Sequence, residues 1–93
     1  MLTTESTVVA SEDHITANLG GDSVVMHPGT EMYFTLDAVG ARIWELLQTV
    51  TSVAAIRDAI VAEYDVEIDR CERDLLALLT DLQSHGLLRE TDV

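Results

Sequence analysis

The sequence predicts an α+β domain of winged helix-turn-helix layout, a three-stranded antiparallel β-meander followed by three α-helices. Three observations carry that prediction. Before Asp37 the chain is rich in β-branched residues and turn signals, with Gly20-Gly21 and Pro28-Gly29 as breaks. After Asp37 the apolar residues fall at helical spacing, and Gly40 and Gly86 are the only glycines. The length of 93 residues suits one domain, assigned to residues 1–93 with 1–13 partly flexible.

The first strand is read from Val8 to Ser11, extendable through Ile15 to Leu19. Gly20-Gly21-Asp22 marks a turn and Ser23 to His27 a second strand. His27-Pro28-Gly29-Thr30 places Pro and Gly at the central positions of a type II turn. Met32-Tyr33-Phe34-Thr35-Leu36 then has strong β propensity, with Met32, Phe34 and Leu36 on one face and Tyr33 and Thr35 on the other. Asp37 is the expected N-cap of a first helix whose core stripe is Val39, Ile43, Leu46, Leu47 and Val50, with Trp44 flanking it. Thr51 or Ser52 caps a second helix, buried through Val53, Ile56, Ile60 and Tyr64. Asp69 with Glu72 reads as a capping box opening a third helix with Cys71, Leu75, Leu78, Leu79 and Leu82 inward. Gly86 closes that helix, and Leu87-Leu88 return to the core or form a wing strand.

Composition narrows the function. Seventeen acids against five Arg and no Lys give a net charge of -12, which repels a phosphate backbone and an anionic membrane surface. The third helix, with Asp69, Glu72, Asp74 and Asp81 against Arg70 and Arg73, would be driven out of a DNA groove. A lone cysteine, Cys71, excludes an intrachain disulfide and a cysteine-cage metal site, and its place on the apolar stripe suits an inert thiol. His14, His27 and His85 lack metal-ligand spacing. No apolar run is long enough to span a bilayer, and the first residues carry acids and hydroxyls with no basic region of the signal-peptide type. The expectation is a cytoplasmic, non-catalytic protein without cofactor or metal.

In a three-stranded meander the third strand is an edge. Met32 to Leu36 has none of the charges, prolines or bulges that blunt such edges. Either the protein's own termini cover it, or it receives an extended segment of a partner. Leu76 lies about 100° off the centre of the third helix's stripe, beside Asp69, Glu72 and Thr80, where a large apolar residue could line a groove. The candidate peptide-binding residues are Met32, Tyr33, Phe34, Thr35, Leu36, Leu76 and Thr80 beside it, with Asp69, Glu72 and Arg73 as a charged rim.

Residues Tyr33 to Leu47, with an aromatic pair, a Leu, an Asp and a Gly-Ala-x-Ile-Trp helix, resemble the signature of the PqqD-like family. Thr51-Ser52-Val53, Ile56, Ile60 and Tyr64-Asp65-Val66 resemble its second helix and following loop. Asp74-Leu75-Leu76, Leu79, Leu82 and Gly86-Leu87-Leu88 resemble its last helix. Asp37 replaces the commoner Asn; both cap helices. The resemblance implies a RiPP recognition element, which binds the leader of a ribosomally made precursor peptide along the third strand, in a cleft against the third helix. It implies further a discrete protein of lasso-peptide biosynthesis, partnered by a leader-cleaving cysteine peptidase. The alternative within the family is a partner of a radical SAM enzyme in quinone-cofactor biosynthesis.

One competing motif lies outside that resemblance. Leu19-Gly20-Gly21-Asp22-Ser23-Val24 looks like the phosphopantetheine attachment site of acyl and peptidyl carrier proteins, with Ser23 as the acceptor. A carrier needs a long helix before the serine and a helix opening at it, whereas Ser23 stands among strand formers and Pro28-Gly29 follows within two turns.

Overall fold

The computed structural model describes residues 2–20, 22–29, 31 and 33–91. Among them the chain forms β1 (Thr7–Ala10), β2 (Ile15–Leu19), β3 (Asp22–Met26), β4 (Tyr33–Leu36), α1 (Ala38–Leu46), β5 (Thr51–Ser52), α2 (Val53–Glu63), α3 (Ile68–Ser84) and β6 (Leu88–Thr91). The α+β class and the strands-then-helices order follow the sequence pattern. No helix among the described residues is long and apolar enough to cross a membrane.

The strands form two sheets. The meander is β2-β3-β4, antiparallel throughout, with Leu19↔Asp22 closing its first hairpin and Val25↔Phe34 at the centre of its second pair. Gly20, at φ 68°, makes the reversal between β2 and β3, where a side chain would be strained. The first strand of the sequence reading is in fact two. β1 leaves the meander and lies between β5 and β6 in a second antiparallel sheet, with Thr7 opposite both Ser52 and Thr91. Burial decides this split: Val8 and Ala10 are buried on one face of β1, and Leu88 opposite Ala10 is buried with them. Leu88 does open a last strand, β6, which pairs with β1.

The loop from β3 to β4 also departs from expectation. A type II turn would hold Gly29 at positive φ, but the left-handed residue is Glu31, at φ 59°. Glu31 N–H donates to the His27 carbonyl at 2.8 Å, a wider five-residue turn, and Gly29 N–H donates to His27 Nδ1 at 3.0 Å.

The helix starts are explained by their caps. Asp37 accepts from Gly40 N–H at 2.8 Å, and Ser52 accepts from Ala55 N–H at 3.1 Å. α1 stops at Leu46, short of Val50, because the chain must turn to place Thr51 opposite Val8. Val50 is accordingly exposed, while Trp44 is a core residue whose Nε1–H donates to Thr16 Oγ1 at 3.2 Å. The capping box does not form. α3 starts at Ile68, Asp69 lies inside its first turn, and the Glu72 carboxylate is held by Arg57 of α2 at 2.8 Å. At its other end Gly86, at φ 75°, permits paired bonds from Gly86 N–H to Gln83 and from Leu87 N–H to Leu82, which return Leu87 and Leu88 to the core.

One apolar core joins both sheets to the helices. Val8, Val25, Leu47, Val53, Ile56, Ile60, Leu79, Leu82 and Leu87 are its fully buried members. Leu36 ties the end of β4 into it. Gly40 packs on that residue so closely that a Cβ there would lie 3.2 Å from Leu36 Cβ and 3.3 Å from Asp37 Oδ1.

Candidate functional site: an open strand edge beside a groove

β4 pairs with β3 on one side only, and no described strand pairs with the other. In an antiparallel ladder, alternate residues direct both N–H and C=O to the same neighbour. Two of the four β4 residues therefore offer their backbone groups outward, four hydrogen-bonding groups in all. Along the strand, Leu36 is buried and Phe34 half-buried toward the helices, while Tyr33 and Thr35 are exposed, as the alternation predicts. Met32 lies outside the described residues.

Beside this edge is an open groove of about 970 Å³. Thr35 and Leu36 supply the β4 side, and Asp22 at the start of β3 stands at the same end. Its floor is Val39 and Ile43 of α1, Ile60 of α2, and Leu75 and Leu78 of α3. Arg70, Cys71 and Asp74 of α3 continue that wall, and Asp65, Val66 and Glu67 form the lip where α2 passes into α3. At the opposite end of α3, the His85 ring meets Phe34 edge-on, centroids 4.7 Å apart and planes at 88°. β4 thus runs from the C-terminal end of α3 toward its N-terminal half.

The structure brings Thr35 and Leu36 together with α3 but shows a different face of that helix from the one the sequence singled out. None of Asp69, Glu72, Arg73, Leu76 and Thr80 lines the groove. Glu72 is engaged by Arg57, Leu76 packs half-buried on the core, and Asp69, Arg73 and Thr80 are exposed elsewhere. Leu76 and Leu78 flank the buried stripe on opposite sides, being about 200° apart round the helix. Sequence periodicity counts Leu78 with the inward stripe and leaves Leu76 outside it, which drew attention to Leu76; only the path from β4 through α1 and α2 decides which flank borders the strand. Tyr33 and Phe34 belong to the edge itself and do not line the groove. Val39, Ile43, Leu75 and Leu78 were legible as core positions, without a sign that they also face an opening. Asp22, Asp65, Val66, Glu67, Arg70 and Asp74 were not singled out as site residues by the sequence.

The thiol of the groove and the serine of the carrier-type motif are both held in structural roles. Cys71 is buried, its Sγ lies 4.0 Å from the Arg57 carbonyl oxygen, and desolvation pushes its pKa up despite the opposing charge of Arg57. It is thereby held as a thiol. Ser23, the carrier-type serine, is buried within β3 and donates to Asn18 Oδ1 at 3.0 Å, so it neither opens a helix nor presents its hydroxyl for modification. The Arg42 guanidinium forks onto Glu63 at 2.9 and 3.0 Å and holds that carboxyl below its ordinary range, a link between α1 and α2 rather than a functional group.

An exposed antiparallel edge bordering an apolar-floored groove defines a class, that of small α+β domains built to take up an extended segment. Within it, residues 22–88 match the PqqD family, described as Coenzyme PQQ synthesis protein D, and the chain belongs to that family. It is similar to the PqqA binding protein of Rhodopseudomonas palustris (strain ATCC BAA-98 / CGA009), 34% identical over 67 residues that make up 72% of this chain. Those residues span 64% of that relative's length. Among solved structures it is similar to TbiB1 in complex with the TbiA(beta) leader peptide, with a TM-score of 0.80 and 39% identity over 91% of this chain and 99% of that one.

Proposed function

We propose that this protein is a non-catalytic recognition element that captures the leader segment of a ribosomally made precursor peptide by strand addition at β4. The observation that carries the proposal is the unpaired outer edge of Tyr33–Leu36 lying along the groove. Four outward backbone groups, at about 1 kcal/mol net each, give a base of about 4 kcal/mol that tolerates many sequences. Selectivity comes from apolar leader side chains that reach the floor formed by Val39, Ile43, Leu75 and Leu78. Ordering a flexible leader offsets part of this gain, which suits a carrier that must later release it. The similarity to TbiB1, solved with a leader peptide, and to a PqqA binding protein supports the same assignment.

In the fuller reading the precursor is that of a lasso peptide, and the protein presents its leader in the cytoplasm to a separate cysteine peptidase. Holding the leader near that peptidase raises its effective concentration there. The PqqA-binding relative favours a second reading, in which the recipient is a radical SAM enzyme.

Amide hydrogen exchange with and without a bound leader peptide tests strand addition. Two alternate β4 amides gain protection on binding if the leader joins the edge. Protection confined to other elements, or affinity weaker than about 100 μM, refutes it.

A further inference from the structure

The charge of the groove goes beyond what strand addition requires. Its sixteen lining residues carry five carboxylates and one guanidinium, a net -4, against -12 over all 93 residues. The groove is thus about twice as acidic, residue for residue, as the chain. Arg70, already counted in that sum, lies 3.8 Å from Asp74 on the next turn, which leaves the other four carboxylates without it. Asp22, Asp65 and Glu67 make no ion pair among the described residues, and all three are exposed.

These carboxylates lie at one end. Asp37 follows the last residue of β4, Asp22 precedes Ser23, the partner of Leu36, and Asp65 and Glu67 precede α3. The Phe34–His85 end of the edge has no groove-lining carboxylate. A segment added antiparallel to β4, like every other pairing in this sheet, has its N-terminal part at the Leu36 end. An acidic occupant would be repelled there, and so would the β4 edge of a second copy, whose Tyr33–Leu36 brings no cation and whose chain brings another -12.

Resting on the leader-binding reading, we infer that the groove selects a basic leader: lysine or arginine immediately N-terminal to the apolar anchor residues, facing Asp22, Asp65 and Glu67. Both long cationic side chains can lay their methylenes along Val66 while the charge reaches the carboxylates.

A displayed library of random peptides selected on the immobilised intact protein tests this. Enriched peptides should share apolar anchors preceded by Lys or Arg. In synthetic copies of the best binder, replacing those cations by Glu should weaken binding about tenfold at low salt, as measured by fluorescence anisotropy, and less in high salt. On the Asp65→Asn, Glu67→Gln double variant the same replacement should cost under about threefold. Both side chains are exposed and without an ion pair among the described residues, and Glu67 makes no side-chain cap bond, so the variant keeps its fold. Enriched apolar anchors with no charge bias, or with cations only on the C-terminal side, overturn the inference and leave leader binding standing. So does an undiminished preference in the double variant. If nothing is enriched, both fall.

Discussion

Leu78→Ala and Leu76→Ala form a matched pair that decides which face of α3 meets the peptide. Both leucines are half-buried against the same core, so truncation should cost each a similar, partial share of the 2–5 kcal/mol of a fully buried leucine. At about 1–1.5 kcal/mol, both melting temperatures should fall by roughly 4–10 °C for a domain of this size. Binding separates them. Leu78 lines the groove and Leu76 does not. Truncation removes three carbons, worth about 0.8 kcal/mol each when fully buried. Because Leu78 is already partly covered, peptide binding gains only about half of that, near 1.2 kcal/mol, or a sevenfold change in affinity. Titration calorimetry with one leader peptide on both variants should give about a sevenfold loss for Leu78→Ala and under twofold for Leu76→Ala. Equal losses, or a larger loss for Leu76→Ala, would refute the groove as the binding face.

Gly40→Ala should destabilise by about 1 kcal/mol despite the better helix propensity of alanine, because the new methyl presses on Leu36 Cβ and Asp37 Oδ1; a thermal melt reads this. The Cys71 thiol, buried and raised in pKa, should react with a disulfide reagent near pH 8 at least about tenfold more slowly than a free thiol, and more slowly again with peptide over the groove. The Glu63 carboxyl is lowered below its ordinary 4.5 by Arg42, so its contribution to stability is complete above that value and is lost as the pH falls through the lowered one. Denaturant titrations of Glu63→Gln should therefore show a flatter loss of stability than the parent below about pH 4.5, and the same curve as the parent's shape above about pH 6.

Local chemistry was legible in the sequence wherever one short segment determines its own structure. Asp37 and Ser52 cap helices because a side-chain oxygen three residues before a free N–H can satisfy it without help from the rest of the chain. Gly86 could be read for the same reason, and the Tyr33–Leu36 alternation needed only the pleat. What escaped depends on distant partners. Val8 and Ala10 look like any short strand, and their removal from the meander is decided by β6, almost the whole chain away. Val50 fits the α1 stripe by period, yet the pairing of Thr51 with Val8 ends the helix first. Glu72 matches a capping box, but Arg57 of another helix claims its carboxylate. The choice between Leu76 and Leu78 is of the same kind. The carboxylates of the groove were the least visible, since a chain with seventeen acids hides a local cluster in its composition.

The pairing of Thr7 with Thr91 sets two distant parts of the chain side by side on β1 and β6, and no residue of β1, β5 or β6 lines the groove. By the same geometry, an enzyme fused beyond either strand would be tethered through the sheet that the groove does not use, leaving the β4 edge unencumbered.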